Sequence, residues 1–128
     1  MPHSVLQAKL YRVAVTHTGL HYEGSCGIDA ALLAAAGIHA NQRVEIYNIC
    51  NGERFSTNAI VAPEGSGRIA LNGAAARKAV IGDLLIICAY AHCTQDEVAR
   101  HQPVVVLVDQ RNRMIERIVL LGKRAGLE

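Results

Sequence analysis

The stretch LHYEGSCGID, residues 20–29, sets a serine between a glycine and a Cys-Gly pair, where no metal or phosphate motif accounts for it. Taken alone, Gly24-Ser25-Cys26-Gly27 reads as a tight turn, because glycine and serine both favour turns. The flanks of that turn decide the fold class. Upstream, residues 5–16 are rich in β-branched and apolar side chains, enough for a strand that crosses a whole domain, with Lys9, Tyr11 and Val13 on one side of its alternation. Downstream, Asp29 caps the apolar run AALLAAA and Gly37 stops it, so a short helix is expected there.

Further along the chain, residues 43–50 and 53–62 flank Asn51-Gly52, a hairpin signal in which both turn positions call for positive φ. Residues 63–67 form a turn-rich loop, and residues 68–71 a short strand that ends at Asn72-Gly73, with a short helix over residues 74–79. Residues 84–91 are an almost continuous apolar run, the pattern of a strand buried on both faces. Thr94-Gln95-Asp96-Glu97 fits a capping box, so a helix should run to Arg100 or His101. Two more strands follow, VVVLVD after Pro103 and residues 114–121, joined by a turn over residues 110–113. Six or seven strands, two or three short helices and no βαβ alternation predict a small, mainly β barrel.

Composition narrows the function. The 128 residues are 51% hydrophobic and 19% charged, which suits a single domain over residues 1–128. Thirteen Lys and Arg against eleven Asp and Glu leave a net charge of +2, too balanced for a chain that neutralises nucleic acid or a membrane surface. No apolar stretch has the length of a membrane span and the first residues do not pattern as a signal peptide, so a cytoplasmic protein is expected. Cys26, Cys50, Cys88 and Cys93 are scattered and the six histidines lack ligand spacing, so no metal is expected. Ser25 with His21 lacks the nucleophile elbow of a hydrolase, and Gly65-Ser66-Gly67-Arg68 lacks the Lys and helix of a phosphate loop, so it reads as a flexible loop. Arg111, Arg113, Arg117, Lys123 and Arg124 have no interleaved aromatics and read as a solvated face.

Three motifs go beyond these residue-level readings. LHYEGSC at residues 20–26, ERFSTNAI at 53–60 and NGAAA at 72–76 stand in an order and separation that resemble the aspartate 1-decarboxylase family, pyruvoyl-dependent enzymes that make β-alanine for pantothenate and coenzyme A synthesis. The resemblance begins with VLQAKLYRVAVTH and runs weakly on to QPVVVLVDQRN. It implies a double-ψ β-barrel assembled as a homotetramer with active sites between subunits, and in some members a helper protein for processing. It implies self-cleavage at Gly24-Ser25 into a β chain, 1–24, and an α chain, 25–128. The serine hydroxyl would exchange the preceding amide for an ester, and elimination and hydrolysis would leave a pyruvoyl group at residue 25 and release ammonia. That group would be the cofactor, with no pyridoxal phosphate and no metal.

On the same resemblance, Lys9 and Arg54 hold the carboxylates of L-aspartate, and a guanidinium can grip a carboxylate through two parallel bonds. Thr57 holds the Gly24 carbonyl for processing, Tyr22 lies beside the cleavage point, and Asn72, Gly73, Ala74 and Ala75 wall the pocket. This chain departs from the family pattern at two positions. Asn58 stands where the family has a tyrosine taken as the proton donor, and Tyr11 stands where a histidine is common. An amide is no titratable acid, and general acid catalysis contributes about 10²–10⁴-fold, or roughly 3–5.5 kcal/mol of barrier. Lys9 and Tyr11 alternate to one side of one strand, which makes Tyr11 a candidate substitute acid; on that reading Tyr11→Phe abolishes decarboxylation and Asn58→Tyr restores it. Two alternatives stay open: a divergent pyruvoyl decarboxylase of another small amino acid, and a non-catalytic barrel homologue that leaves Gly24-Ser25 intact.

Overall fold

The structure, a computed structural model, describes residues 1–20 and 24–120. Its strands are β1 (His3–Ala14), β2 (His17–Gly19), β3 (Ser25–Asp29), β4 (Arg43–Asn48), β5 (Arg54–Ala62), β6 (Ile69–Asn72), β7 (Leu84–Cys93), β8 (Val104–Val108) and β9 (Met114–Val119). Two short helices, α1 (Ala30–Ala36) and α2 (Gln95–Arg100), and a 3₁₀ helix (Gly73–Lys78) complete the described chain. The strands join in the order β2-β6-β3-β5-β4-β7-β1-β8-β9, antiparallel except for the pairs β1 with β8, β2 with β6 and β3 with β5. This is the small, mainly β barrel that the strand count predicts. Its core is built from the inward residues of most strands, among them Leu10, Ile28, Ile46, Leu71, Leu85, Ile87 and Val106, closed on one side by Leu32 and Leu33 of α1. Among the described residues no helix is long and apolar enough to cross a membrane.

The locally signalled elements form where expected. Asp29 caps α1 by accepting from the Ala31 N–H at 2.8 Å, and Gly37 ends it with φ of 70°. Thr94 and Glu97 make the reciprocal capping box of α2. The β4–β5 hairpin is present with a longer loop than a two-residue turn. The Asn48 N–H donates to the Glu53 carbonyl at 2.8 Å and the Gly52 N–H to the Asn48 carbonyl at 2.9 Å, so Gly52 has positive φ and Asn51 does not. Asn51 instead accepts from the Glu53 N–H through its side chain at 2.9 Å, a role that needs no left-handed backbone.

Four expectations are corrected by tertiary contacts. The stretch 25–29 is a strand, fully buried, because β5 and β6 pair with it on either side and satisfy its backbone. In β1 an extra residue at Arg12, with φ of 66°, breaks the register between Tyr11 and Val13. Such a bulge shifts the alternation by one residue, so Lys9 and Tyr11 stay outside while Val13 is buried. In β7 only one face is wholly buried, since Tyr90 on the other is exposed. Finally, the Gly65-Ser66-Gly67 segment is a cradle rather than a flexible loop. The N–H groups of Gly65 and Gly67 donate to the buried Asp29 carboxylate at 3.0 and 2.8 Å. Burial by itself would raise the Asp29 carboxyl, but the donors at Ala31, Gly67 and Gly65 outweigh it and hold its pKa below the ordinary value.

On its other side, the same cradle is locked by Asn112 in the β8–β9 turn. Its buried amide accepts from the Ala14 N–H and donates to the carbonyls of Ala14 and Gly67, each at 2.8 Å. Asn112→Gly keeps the positive φ of 60° but strands these groups, at about 1–3 kcal/mol for each buried one; a loss of about 2–4 kcal/mol in chemical denaturation is expected. Asp29→Asn should destabilise at neutral pH, because an amide nitrogen cannot accept from an N–H. The depressed pKa makes the Asp29 contribution complete above the unfolded value near ~3.9 and lost as pH falls through the folded one. Denaturation from pH 7 to 2 should therefore show a shallower acid limb in the variant than in the wild type.

Candidate active site

Ser25 opens β3 and pairs with Asn72 of β6. Its side chain is 6% exposed, and its Oγ accepts from Asn72 Nδ2 at 3.0 Å. Because Cys26 and Ile28 point into the core, alternation sends Ser25 and Gly27 to the outer face, where they line a cleft of about 690 Å³ with Gly24, Asn58, Ile60 and Asn72. Gly24 also borders a smaller cleft of about 290 Å³ with Phe55, Thr57, Ala74, Ala75 and Lys78. The peptide between Gly24 and Ser25 thus joins a hydroxyl-bearing cleft to one lined by Thr57. Gly24 itself is exposed, and a Cβ there would meet nothing within 4 Å. The neighbouring Cys26 thiol is pushed up to about 12 by burial and is no nucleophile near neutrality.

The outward side chains form a band across the sheet. Paired residues on antiparallel strands share a face, so register assigns them: Asn58, Ser56 and Arg54 on β5 face Arg43, Glu45 and Tyr47 on β4. Glu45 and Tyr47 in turn match Cys88 and Ile86 on β7, which match Lys9 and Tyr11 on β1. Lys9, Tyr11, Arg54 and Asn58 therefore all lie on the face that carries Ser25. The Arg54 guanidinium sits 4.1 Å over the Tyr47 ring, on the side of β5 away from β3, and the Tyr47 and Tyr90 hydroxyls are 3.1 Å apart. Burial pushes the Cys88 thiol up, and the charges of Lys9 and Arg54 and a hydrogen bond with Tyr90 oppose it in part. Neither Lys9 nor Arg54 lines the clefts at Gly24. In the sheet order Lys9 is four strands from Ser25.

Comparison with known proteins matches residues 1–115 to the aspartate decarboxylase family. The chain belongs to that family. It is 58% identical over 116 residues to aspartate 1-decarboxylase of Bordetella avium (strain 197N), covering 91% of this chain and 95% of the relative. It is 62% identical over 110 residues to aspartate 1-decarboxylase of Methylibium petroleiphilum (strain ATCC BAA-1232 / LMG 22953 / PM1), covering 86% and 92%. Aspartate 1-decarboxylase 2 of Polaromonas sp. (strain JS666 / ATCC BAA-500) is 54% identical over 113 residues, covering 88% and 90%.

For a member of the aspartate decarboxylase family, the single chain divides the expected site residues into two groups. Gly24, Ser25, Asn58 and Asn72 share the larger cleft, and Gly24, Thr57, Ala74 and Ala75 the smaller, with Gly73 buried beside them. Lys9 and Arg54 gather elsewhere on the outer band, and Tyr11 lines a third cleft with Leu107, Val108 and Gln110. Tyr22, His21, Lys123 and Arg124 lie outside the described residues. Residue-level reading missed Tyr47, Tyr90 and Lys78; Lys78 is paired with Glu53 at 2.8 Å. Tyr47 had a signal, since a hairpin closing at residues 49–52 must set it opposite Arg54. Burial of Cys26 predicts that iodoacetamide leaves it unmodified in the native protein at pH 8 and alkylates it on unfolding, as read by peptide mass spectrometry.

Proposed function

We propose that this chain converts L-aspartate to β-alanine and CO2, for pantothenate and coenzyme A synthesis, after cleaving itself between Gly24 and Ser25 to form a pyruvoyl group. The observation that carries the reading is the setting of Ser25: a nearly buried hydroxyl held by Asn72, next to a Gly24 peptide open on its other side toward Thr57. A pyruvoyl group fits there, because the cleft on the outer face gives a substrate amine room to approach residue 25. When formed, it supplies the electron sink that loss of CO2 beside an amine requires and that no ordinary side chain provides.

The chain's own residues supply the rest. Asn72 holds the Ser25 oxygen in position for attack on the Gly24 carbonyl, and Thr57 is placed to polarise that carbonyl. Lys9 and Arg54 bind the two carboxylates of the substrate. Neither Lys9 nor Arg54 lines the clefts at Gly24 and Ser25 of its own chain, which supports an assembly in which the cations of one copy face the Ser25 cleft of another. A homotetramer with sites between subunits meets that requirement. Tyr22, next to the cleavage point in sequence, is assigned to the same pocket.

Intact mass under denaturing conditions tests the reading. Two chains are expected, one ending at Gly24 and one starting at residue 25 and lighter by one ammonia than a serine-started fragment. Asn72→Ala should slow cleavage, and Lys9→Ala should leave cleavage intact while raising KM for aspartate at least tenfold. A chain that stays whole even with cell extract, as source of a helper protein, would instead identify a non-catalytic barrel, the reading Asn58 favours. Turnover of another small amino acid in preference to aspartate would reassign the substrate.

A further inference from the structure

Resting on the reading of the chain as an aspartate decarboxylase, we propose that Tyr47 donates the proton to the substrate carbon from which CO2 leaves, with Tyr90 as its positioning residue. Loss of CO2 leaves the electron pair of the broken carbon–carbon bond on the substrate, and the product has a C–H bond at that carbon. That electron pair forms the new C–H bond, the Tyr47 O–H bond breaks, and the phenolate left behind takes a proton back from water.

Among the described residues the outer band offers few groups for this role. Asn58 carries an amide, which has no acidic proton to give. Glu45 is engaged with Arg43 at 3.0 Å, and Lys9 is assigned to a carboxylate. Tyr11 is level with Ile86, which stands between it and Tyr47, and it faces the cleft with Leu107, Val108 and Gln110. Among the described residues Tyr47 alone packs its ring against the guanidinium assigned to the substrate, at 4.1 Å, which brings its hydroxyl near a carboxylate held by Arg54. The Tyr90 hydroxyl is 3.1 Å from that of Tyr47 and has its pKa raised, first by its hydrogen bond to Tyr47 and then by burial. Either hydroxyl can donate in this pair, and with Tyr90 as donor the Tyr47 proton is free to point at a ligand. After transfer, the Tyr90 O–H and the Arg54 guanidinium both stabilise the Tyr47 phenolate, a charge that develops only as the proton moves.

The test uses the wild type and the variants Tyr47→Phe, Tyr90→Phe and Tyr11→Phe, each checked by intact mass for cleavage. Turnover of aspartate is measured beside calorimetric binding of succinate, a dicarboxylate that lacks the reacting amine. Tyr47→Phe should lower kcat by about 10²-fold or more, within the range of general acid catalysis, while cleavage and the succinate Kd stay within twofold of the wild type. Tyr90→Phe should lower kcat several-fold with the same unchanged Kd, and Tyr11→Phe should retain most activity. The assignment is overturned if Tyr47→Phe keeps more than half of kcat, if its loss comes with an equal weakening of succinate, or if Tyr11→Phe is the dead variant. A wild type that fails to cleave or ignores aspartate overturns the underlying decarboxylase reading instead, and is seen before any variant is compared.

Discussion

The buried carboxylate of Asp29 is the interaction on which the placement of the site depends. One side chain accepts from the Ala31 N–H at the start of α1 and from Gly65 and Gly67 in the loop before β6. It therefore ties the end of β3 to the strand on one flank and to the helix that covers the core. Charge-assisted hydrogen bonds of this kind are the strong ones, and breaking one side of the set leaves a buried charge short of partners. Gly67 is needed for a steric reason as well, since a Cβ there would lie 2.4 Å from the Arg111 carbonyl, beside the Asn112 lock. Ser25 stands four residues before Asp29 on the same strand, so whatever pins β3 also sets its hydroxyl against Asn72.

On the proposed reading, the outer face of the sheet gives one small barrel separate places for self-processing and for substrate binding. The groups assigned to processing cluster where β3 meets β5 and β6, whereas the assigned cations and the phenols gather two to four strands from β3, on β4, β7 and β1, or lean toward them. Each group has its own local support. Asn72 comes with the β3–β6 register, and Arg54 packs on the Tyr47 ring. Such a division suits a site completed by association, because neither half needs to be rebuilt when two copies meet.

Much of the fold was legible in short stretches. Asp29 and Gly37 bounded α1, Thr94 and Glu97 bounded α2, and Asn51-Gly52 marked the β4–β5 hairpin, because caps and turns are satisfied by residues a few positions apart. What misled was local chemistry overruled from a distance. Two glycines and a serine made residues 24–27 look like a turn, yet pairing with β6 from Ser25 onward and with β5 from Cys26 onward draws Ser25, Cys26 and Gly27 into a strand. The bulge at Arg12 left no mark in composition, and it alone moved Val13 from the face of Lys9 to the core. The Gly65-Ser66-Gly67 cradle did hold an anion, but that anion was the chain's own carboxylate.

By itself the sequence determined the family, the hairpin, the helix ends and the identities of the reactive groups, since all of these are carried by residue type and short spacing. Tertiary structure alone decided which of those groups meet. Strand register put Lys9, Arg54, Tyr47 and Tyr90 on one outer band away from the Ser25 cleft, and pairing across distant segments has no signature in any one of them. It also gave Tyr47 and Tyr90 a shared hydrogen bond 43 residues apart in the chain, which no local pattern could announce.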